Sequence, residues 1–192
     1  MAFWSYIESR IWGLSERFHA LTRERNRVHS VSDYMPGEQV MDIKRITEVG
    51  VVVRDLEQAS TLLSDLLDAD VGDLVTVERY NMHYRMCRVG KVDFELMAPT
   101  ADTGVIAEFL AKSGEGLHHI AFAVDDIEDT MGTLRKKGVQ FVDQAPIRDQ
   151  LDVVDYAGRA FSKDIQFTFS YPQAILGILF EFIQYPEGYQ TP

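Results

Sequence analysis

Cysteine and basic residues are scarce in this sequence of 192 residues. Cys87 is the one cysteine, so an internal disulfide is excluded and a reducing compartment, the cytoplasm, is expected. The 19 lysines and arginines are outnumbered by 30 acidic residues, which gives a net charge of −11. Because a phosphate backbone binds to a basic surface, we expect no nucleic-acid partner.

Long apolar runs are also absent. No run approaches the ~20 residues that cross a bilayer. The N-terminus carries Glu8, Arg10, Glu16 and Arg17 where a signal peptide needs an uninterrupted apolar segment. We therefore expect a soluble cytoplasmic protein without a membrane partner. The hydrophobic content of 46% is sufficient for a packed core.

Residues 1–43 are predicted to form a helical extension in front of a main domain at 44–192. Its apolar residues recur every three or four positions, which is typical of an amphipathic helix about five turns long. The residues of this stripe are Phe3, Ile7, Ile11, Leu14, Phe18 and Leu21. Such a stripe must be covered, by its own domain, by a second copy of the chain, or as a lid over a binding site. A homodimer is the expected assembly.

The main domain contains an internal duplication. Residues 46–67 and 117–138 align with a shift of 71 positions, so that Asp55 matches Asp126. Each copy shows an apolar strand, then an aspartate suited to an N-cap, then a helix with an acid in its first turn. Each copy later closes on a second apolar strand, "VDFELMAP" in the first and "ILFEFIQYP" in the second.

This layout predicts an α+β fold made of two paired β-α-β-β-β modules, at 44–100 and 116–186. The paired modules should form one curved mixed sheet around a central site. The stretch "IRDQLDVVDYAGRAFSKD", residues 147–164, has few strand signals and is predicted to be a long loop.

Two glutamates interrupt apolar strands at the same place in both modules, Glu95 in "VDFELMA" and Glu181 in "ILFEFIQ". A buried carboxylate is costly unless something pairs with it. The leading strands add Glu48 in the first module and His119 at the matching position of the second. If the modules pair about a pseudo-twofold axis, these three acids and one imidazole converge, an arrangement that favours a divalent cation. His118 should face away from them, because neighbouring strand residues alternate, and is not expected to be a ligand.

The sequence resembles the methylmalonyl-CoA epimerase family of the vicinal oxygen chelate superfamily over residues 44–186. The matching stretches are "VGVVVRDLEQA", "GEGLHHIAFAVDDIEDTMGTLRKKGVQFV" and "GILFEFIQYP". The resemblance implies four metal ligands, namely Glu48, Glu95, His119 and Glu181. The epimerases usually carry a histidine at the first of these positions. They also place an acidic residue, which acts as a catalytic base, in the strand written here "ERYNMHYRM", where His83 is the nearest match.

The function that the resemblance implies is a divalent-metal-dependent epimerase or isomerase. It would abstract a proton next to a carbonyl of a small-molecule substrate, an acyl-CoA among the candidates, through a metal-stabilised enolate. The predicted proton-transfer groups are His83 together with Glu48 or Glu181. Three carboxylates favour Mn²⁺ or Mg²⁺, with Co²⁺, Zn²⁺ and Fe²⁺ as alternatives.

Two other functions stay open at this point, because one scaffold hosts several chemistries. One is a glyoxalase-type lyase or an extradiol-type dioxygenase, and the other is a non-catalytic, resistance-type protein that binds a small molecule. The role of Glu48 is open as well, since it could be a ligand or a free base.

Overall fold

The structure is a computed structural model that describes residues 43–154 and 160–189, with side chains described for 43–150 and 164–189. The predicted N-terminal helix lies outside the described residues. In the part that is described, no helix has the length and apolar character needed to span a membrane.

Nine strands of the described chain form one mixed sheet. The strands are β1 (Ile43–Val52), β2 (Asp70–Val71), β3 (Val75–Val77), β4 (Met82–Val89), β5 (Val92–Pro99), β6 (Gly116–Val124), β7 (Ile147–Val154), β8 (Ala160–Phe169) and β9 (Leu179–Gln184). Their order is β2-β4-β5-β1-β6-β9-β8-β7, and β3 also pairs with β4. The helices are α1 (Leu56–Leu67), α2 (Val105–Ser113) and α3 (Ile127–Lys136).

The two modules meet at the centre of the sheet. β1 pairs antiparallel with β6, while each of these strands pairs in parallel with the closing strand of its own module, β5 or β9. The predicted α+β fold of two modules in one mixed sheet is confirmed. The duplication therefore places the two leading strands side by side, where residues from both modules can share one surface.

Aspartates begin the first helix of each module, as the repeat predicts. The carboxylate of Asp55 accepts a hydrogen bond of 3.0 Å from the N–H of Gln58. The carboxylate of Asp126 accepts one of 2.9 Å from the N–H of Asp129. Each cap satisfies a backbone N–H that the helix itself leaves without a partner, so both helices start at matching positions.

Helices α1 and α3 cover one face of the sheet and leave the other face to a cavity. Leu56 of α1 packs on Cys87 and Leu96, whereas Met131 of α3 packs on Phe182. Met86, next to Cys87 on β4, points to the opposite face and lines the cavity. The period of two along a strand thus separates core residues from cavity residues.

The segment predicted to be a long loop, residues 147–164, instead contains β7 and the first residues of β8, so that prediction is wrong. β7 pairs with β8 from Ile147↔Phe167 to Val154↔Ala160. β7 is an edge strand, which needs only one partner and tolerates the charged residues that hide its strand signal in the sequence. Residues 139–142, "VQFV", belong to none of the nine strands and contribute an isolated bridge between Phe141 and Ser170.

Candidate metal centre

The register of the central strands places two polar residues beside Gly50 of β1. Gly50 lies opposite Glu95 of β5 on one side and opposite His119 of β6 on the other. The imidazole of His119 lies over this glycine, because a Cβ at position 50 would come within 2.7 Å of its Nε2 atom. Only glycine leaves room for the ring in this position.

A second row of the same kind lies two residues further along. Ala121 of β6 lies between Glu48 of β1 and Glu181 of β9. Residues two apart on a strand share a face, so this row and the Gly50 row open on the same side of the sheet. All four predicted ligands therefore lie on one surface.

The polar atoms of these residues come close together. The Nε2 atom of His119 lies 3.5 Å from Oε2 of Glu95 and 3.4 Å from Oε2 of Glu181. Three potential ligand atoms, one from each of Glu48, His119 and Glu181, lie within 4.8 Å of one another. Donors bound to a divalent ion at about 2.1 Å stand roughly 3 to 4 Å apart, so the spacing fits such an ion.

The cluster is buried, which makes its composition unusual. His119 is 3% exposed and Glu181 is 8% exposed. Among the described residues, the Nε2 atom of His119 has no hydrogen-bond partner although it is out of contact with solvent. A buried polar atom without a partner needs a physical explanation, and an ion between the ring and the carboxylates is one.

In the absence of a cation, burial and neighbouring negative charges raise the pKa values of these three carboxyl groups. Burial raises the pKa of Glu48 to about 7, against a lowering by its hydrogen bond from Tyr185. Burial and the charge of Glu48 raise the pKa of Glu95 to about 8. The pKa of Glu181 is raised well above its usual value by burial and by both other glutamates. A divalent cation would relieve this repulsion.

Tyr185 is a functional candidate that the sequence analysis missed. Its hydroxyl donates a 2.8 Å hydrogen bond to Oε1 of Glu48. Its ring stacks on that of Tyr189 with the centroids 4.5 Å apart. Strand alternation could have identified Tyr185 from the sequence. Residues two apart share a face, and Glu181, Ile183 and Tyr185 all line the cavity.

The prediction that His118 faces away from His119 is wrong. The Nδ1 atoms of the two rings are 3.0 Å apart, and His118 also lines the cavity. The pairing of β1 with β6 shifts register between Gly50 and Val51, which disturbs the regular alternation here. Burial lowers the pKa of His118 to about 4 and that of His119 well below its usual value, so both rings are neutral near pH 7.

His83 is not brought to the cluster. It lies on β4 between Met82 and Tyr84, which both line the cavity. By strand alternation its side chain is on the opposite face, where it is half-buried. Tyr84 is a β4 residue on the cavity face, where burial, followed by the charges of Glu95 and Glu48, raises the pKa of its hydroxyl.

The cluster lies in a cavity of about 560 Å³ whose wall is acidic. Six acidic residues line it, namely Glu48, Asp73, Asp93, Glu95, Asp149 and Glu181, against two arginines. Each arginine is paired with an acid, Arg79 with Asp149 and Arg88 with Asp93. The acidic residues that have no arginine partner therefore favour a cation among them.

Comparison with known proteins gives the family. The model of the glyoxalase/bleomycin resistance protein/dioxygenase superfamily matches residues 47–157, more than half of the chain. Methylmalonyl-CoA epimerase of Mus musculus is 30% identical over 118 residues, which are 60% of this chain and 66% of that enzyme. The matched stretch is thus just under two thirds of the mouse enzyme. 4-Hydroxyphenylpyruvate dioxygenase of Legionella pneumophila is 44% identical over 55 residues, 28% of this chain and 16% of that enzyme.

The fold comparison agrees with the family model. Methylmalonyl-CoA epimerase from Mycobacterium tuberculosis superposes with a TM-score of 0.62 at 24% identity, covering 80% of this chain and 95% of the other. At this identity the likeness shows a shared fold. By its matched sequence and its paired modules, the chain belongs to the glyoxalase/bleomycin resistance protein/dioxygenase superfamily.

Proposed function

We propose that this chain is a divalent-metal-dependent epimerase or isomerase. It moves a proton on the carbon next to a carbonyl of a small-molecule substrate, and an acyl-CoA thioester is the substrate class we propose first. The observation that carries the proposal is the buried Nε2 atom of His119, which faces two carboxylates without a hydrogen-bond partner among the described residues. The similarity to the mouse epimerase supports the reaction class.

We assign the ion to His119 and to Glu95 and Glu181, whose Oε2 atoms lie 3.5 and 3.4 Å from its Nε2 atom. Mn²⁺ or Mg²⁺ are the first candidates because most donors are carboxylate oxygens. When bound, such an ion polarises a substrate carbonyl and stabilises the negative charge that develops as the neighbouring proton leaves. Three protein ligands leave coordination positions open to the substrate, as catalytic metal sites require.

Glu48 is the base in this proposal rather than a ligand. Tyr185 donates to its Oε1 atom, which leaves Oε2 free to take a proton from the substrate. Burial raises the pKa of the Glu48 carboxyl group and so makes it a stronger base than an exposed carboxylate. Epimerisation needs a second group on the other side of the planar carbon. Glu181 reaches the same volume from the opposite side of Ala121, and one of its two oxygens can serve while the other holds the ion.

Exchange of solvent deuterium into the substrate tests this assignment. The protein is incubated in D₂O with Mn²⁺ and methylmalonyl-CoA, and label at the carbon next to the thioester is measured by mass spectrometry. We expect exchange in the wild type, and a loss of at least 100-fold in Glu48→Gln with bound metal unchanged. Wild-type protein that binds metal but exchanges no deuterium would rule out this substrate class. Loss of the metal in Glu48→Gln would make Glu48 a ligand.

A ring-cleaving or related dioxygenase is the second candidate, because a short stretch of the chain is 44% identical to a dioxygenase. Iron oxygenases of this type use two histidines and one carboxylate, whereas the cluster here offers one histidine and three carboxylates. Oxygen consumption by the Fe²⁺-loaded protein separates the two functions, and we expect none.

The homodimer and the cytoplasmic location expected from the sequence stay predictions. Light scattering on the purified full chain would give the mass in solution and so test the homodimer. A resistance-type binding protein would show neither bound metal nor an effect of a chelator on its stability.

A further inference from the structure

His118 and His119 form a ring-to-ring hydrogen bond beside the cluster. Their Nδ1 atoms are 3.0 Å apart, and the ring planes are nearly perpendicular, at 83°. The His118 ring is also held from its other side by an edge contact with Phe109, with the centroids 5.1 Å apart. The pair is therefore fixed in place by the core of the protein rather than by solvent.

A hydrogen bond between two ring nitrogens needs one proton between them. A neutral imidazole carries its single N–H on Nδ1 or on Nε2, so the direction of this bond decides which nitrogen of His119 has a free lone pair. If His119 donates from Nδ1, its Nε2 atom presents a lone pair to Glu95 and Glu181. If His118 donates instead, Nε2 of His119 carries the proton and cannot bind an ion.

We propose that His118 is a positioning residue that accepts the Nδ1–H of His119 and so directs the Nε2 lone pair of His119 at the metal centre. This inference rests on the proposed function, because it concerns how the metal is held. His118 acts through His119 and needs no contact with the ion or the substrate. In this arrangement His118 carries its own proton on Nε2 and none on Nδ1, so both rings remain neutral.

A histidine suits this role better here than the partners that metal-bound histidines usually have. Those partners are carboxylates, backbone carbonyls or water, and they fix the ring by accepting its other N–H. The cavity already holds six acidic residues, and a further carboxylate next to the ring would add to their repulsion. A neutral imidazole accepts the same hydrogen bond without adding charge.

Two substitutions separate the acceptor from the shape of the ring. His118→Phe keeps an aromatic ring against Phe109 but has no acceptor, whereas His118→Asn places an amide oxygen near the position of Nδ1. We expect Mn²⁺ affinity, measured by calorimetry, to fall 10- to 100-fold in His118→Phe and to recover within about threefold of wild type in His118→Asn. Leu117→Ala, at an exposed neighbour on the same strand, is the matched control and should be unchanged.

The tautomer of His119 can be measured by ¹⁵N NMR, and a purely structural role of His118 would not determine it. In ¹⁵N-labelled wild-type protein loaded with diamagnetic Zn²⁺, we expect a protonated Nδ1 and a metal-bound Nε2 for His119. The metal-free His118→Phe protein should lose the shared-proton signal between the rings while its thermal unfolding stays cooperative.

The outcomes keep this inference apart from the proposed function. Wild-type protein that binds no metal would overturn both. Wild-type protein that binds Mn²⁺, with His118→Phe binding within twofold of it, would overturn the role of His118 and leave the metal centre intact. A Zn²⁺-loaded His119 that coordinates through Nδ1 would do the same.

Discussion

The two modules build matching halves of one site, and they differ at two matched positions, the leading-strand ligand (Glu48 or His119) and the small residue two positions further on (Gly50 or Ala121). In one row Gly50 lies between Glu95 and His119, and in the other row Ala121 lies between Glu48 and Glu181. Each row thus combines a small residue with two polar neighbours, one from each module.

The difference between glycine and alanine follows from what lies above each of them. The imidazole of His119 lies against Gly50, where a methyl group would overlap it. Ala121 is fully buried and has carboxylate-bearing residues on both sides in place of a ring. A duplicated layout can therefore supply unlike ligands, provided that the small residue beside each ligand is adjusted to its size.

Removing one ligand from the second module should have the largest effect. We expect His119→Ala and Glu181→Ala each to abolish metal binding at micromolar Mn²⁺, because a three-ligand site loses a donor and leaves carboxylates without their counter-charge. Elemental analysis after dialysis measures the bound metal. Ala121→Gly, which lies in the second row and removes no ligand, is the control and should keep its metal. Equal metal occupancy in all variants would contradict the site.

The carboxylates of the first module should make the metal-free protein less stable as the pH rises. Their pKa values in the folded state, about 7 for Glu48 and about 8 for Glu95, lie above the ordinary 4.5. The folded state therefore holds more protons than the unfolded state between these values, so the free energy of unfolding is highest below about pH 4.5 and falls up to about pH 8.

Urea unfolding at pH 5 and pH 8, with a chelator or with Mn²⁺, measures this dependence. We expect the metal to raise stability more at pH 8, where it binds ionised carboxylates, than at pH 5. Glu48→Gln should flatten the curve of the metal-free protein. A free energy of unfolding that rises from pH 5 to pH 8 in the metal-free protein would contradict the shared burial of these acids.

Adding a methyl group to the Gly50 row should displace the imidazole. We expect Gly50→Ala to lower the free energy of unfolding by about 1–3 kcal/mol, because a well-packed site must shift to admit the new atom. Metal affinity should fall with it. The reciprocal change, Ala121→Gly, should cost no more than about 1 kcal/mol and preserve metal binding. Similar metal affinities for the two variants would remove the distinction between the rows.

The smallest effect is expected at His83, on the other face of β4. Because His83→Phe leaves the cavity wall unchanged, deuterium exchange should stay within twofold of wild type. Tyr84→Phe removes a hydroxyl on the cavity face, whose pKa the charges of Glu95 and Glu48 raise, and it should alter exchange more. If deuterium exchange falls more in His83→Phe than in Tyr84→Phe, His83 takes part in proton transfer.

Local features of the fold followed from local signals. The N-caps at Asp55 and Asp126, the paired modules and the position of Glu95 and Glu181 depend on spacing along one strand or helix, which the sequence records directly. β7 and the ring orientation of His118 depend on a partner strand and on a register shift, which the sequence does not record. The sequence also did not show that His83 lies on the face away from the cavity, because that depends on which residues of β4 point to each side of the sheet.

By itself the sequence determined a duplicated strand-and-helix pattern with an acid or a histidine at four matching strand positions. The tertiary structure alone decided that Gly50 and Ala121 lie between them, that Tyr185 donates to Glu48, and that His118 contacts His119. The physical reason is that periodicity specifies the face of a residue within one strand, whereas distances between strands depend on register and packing.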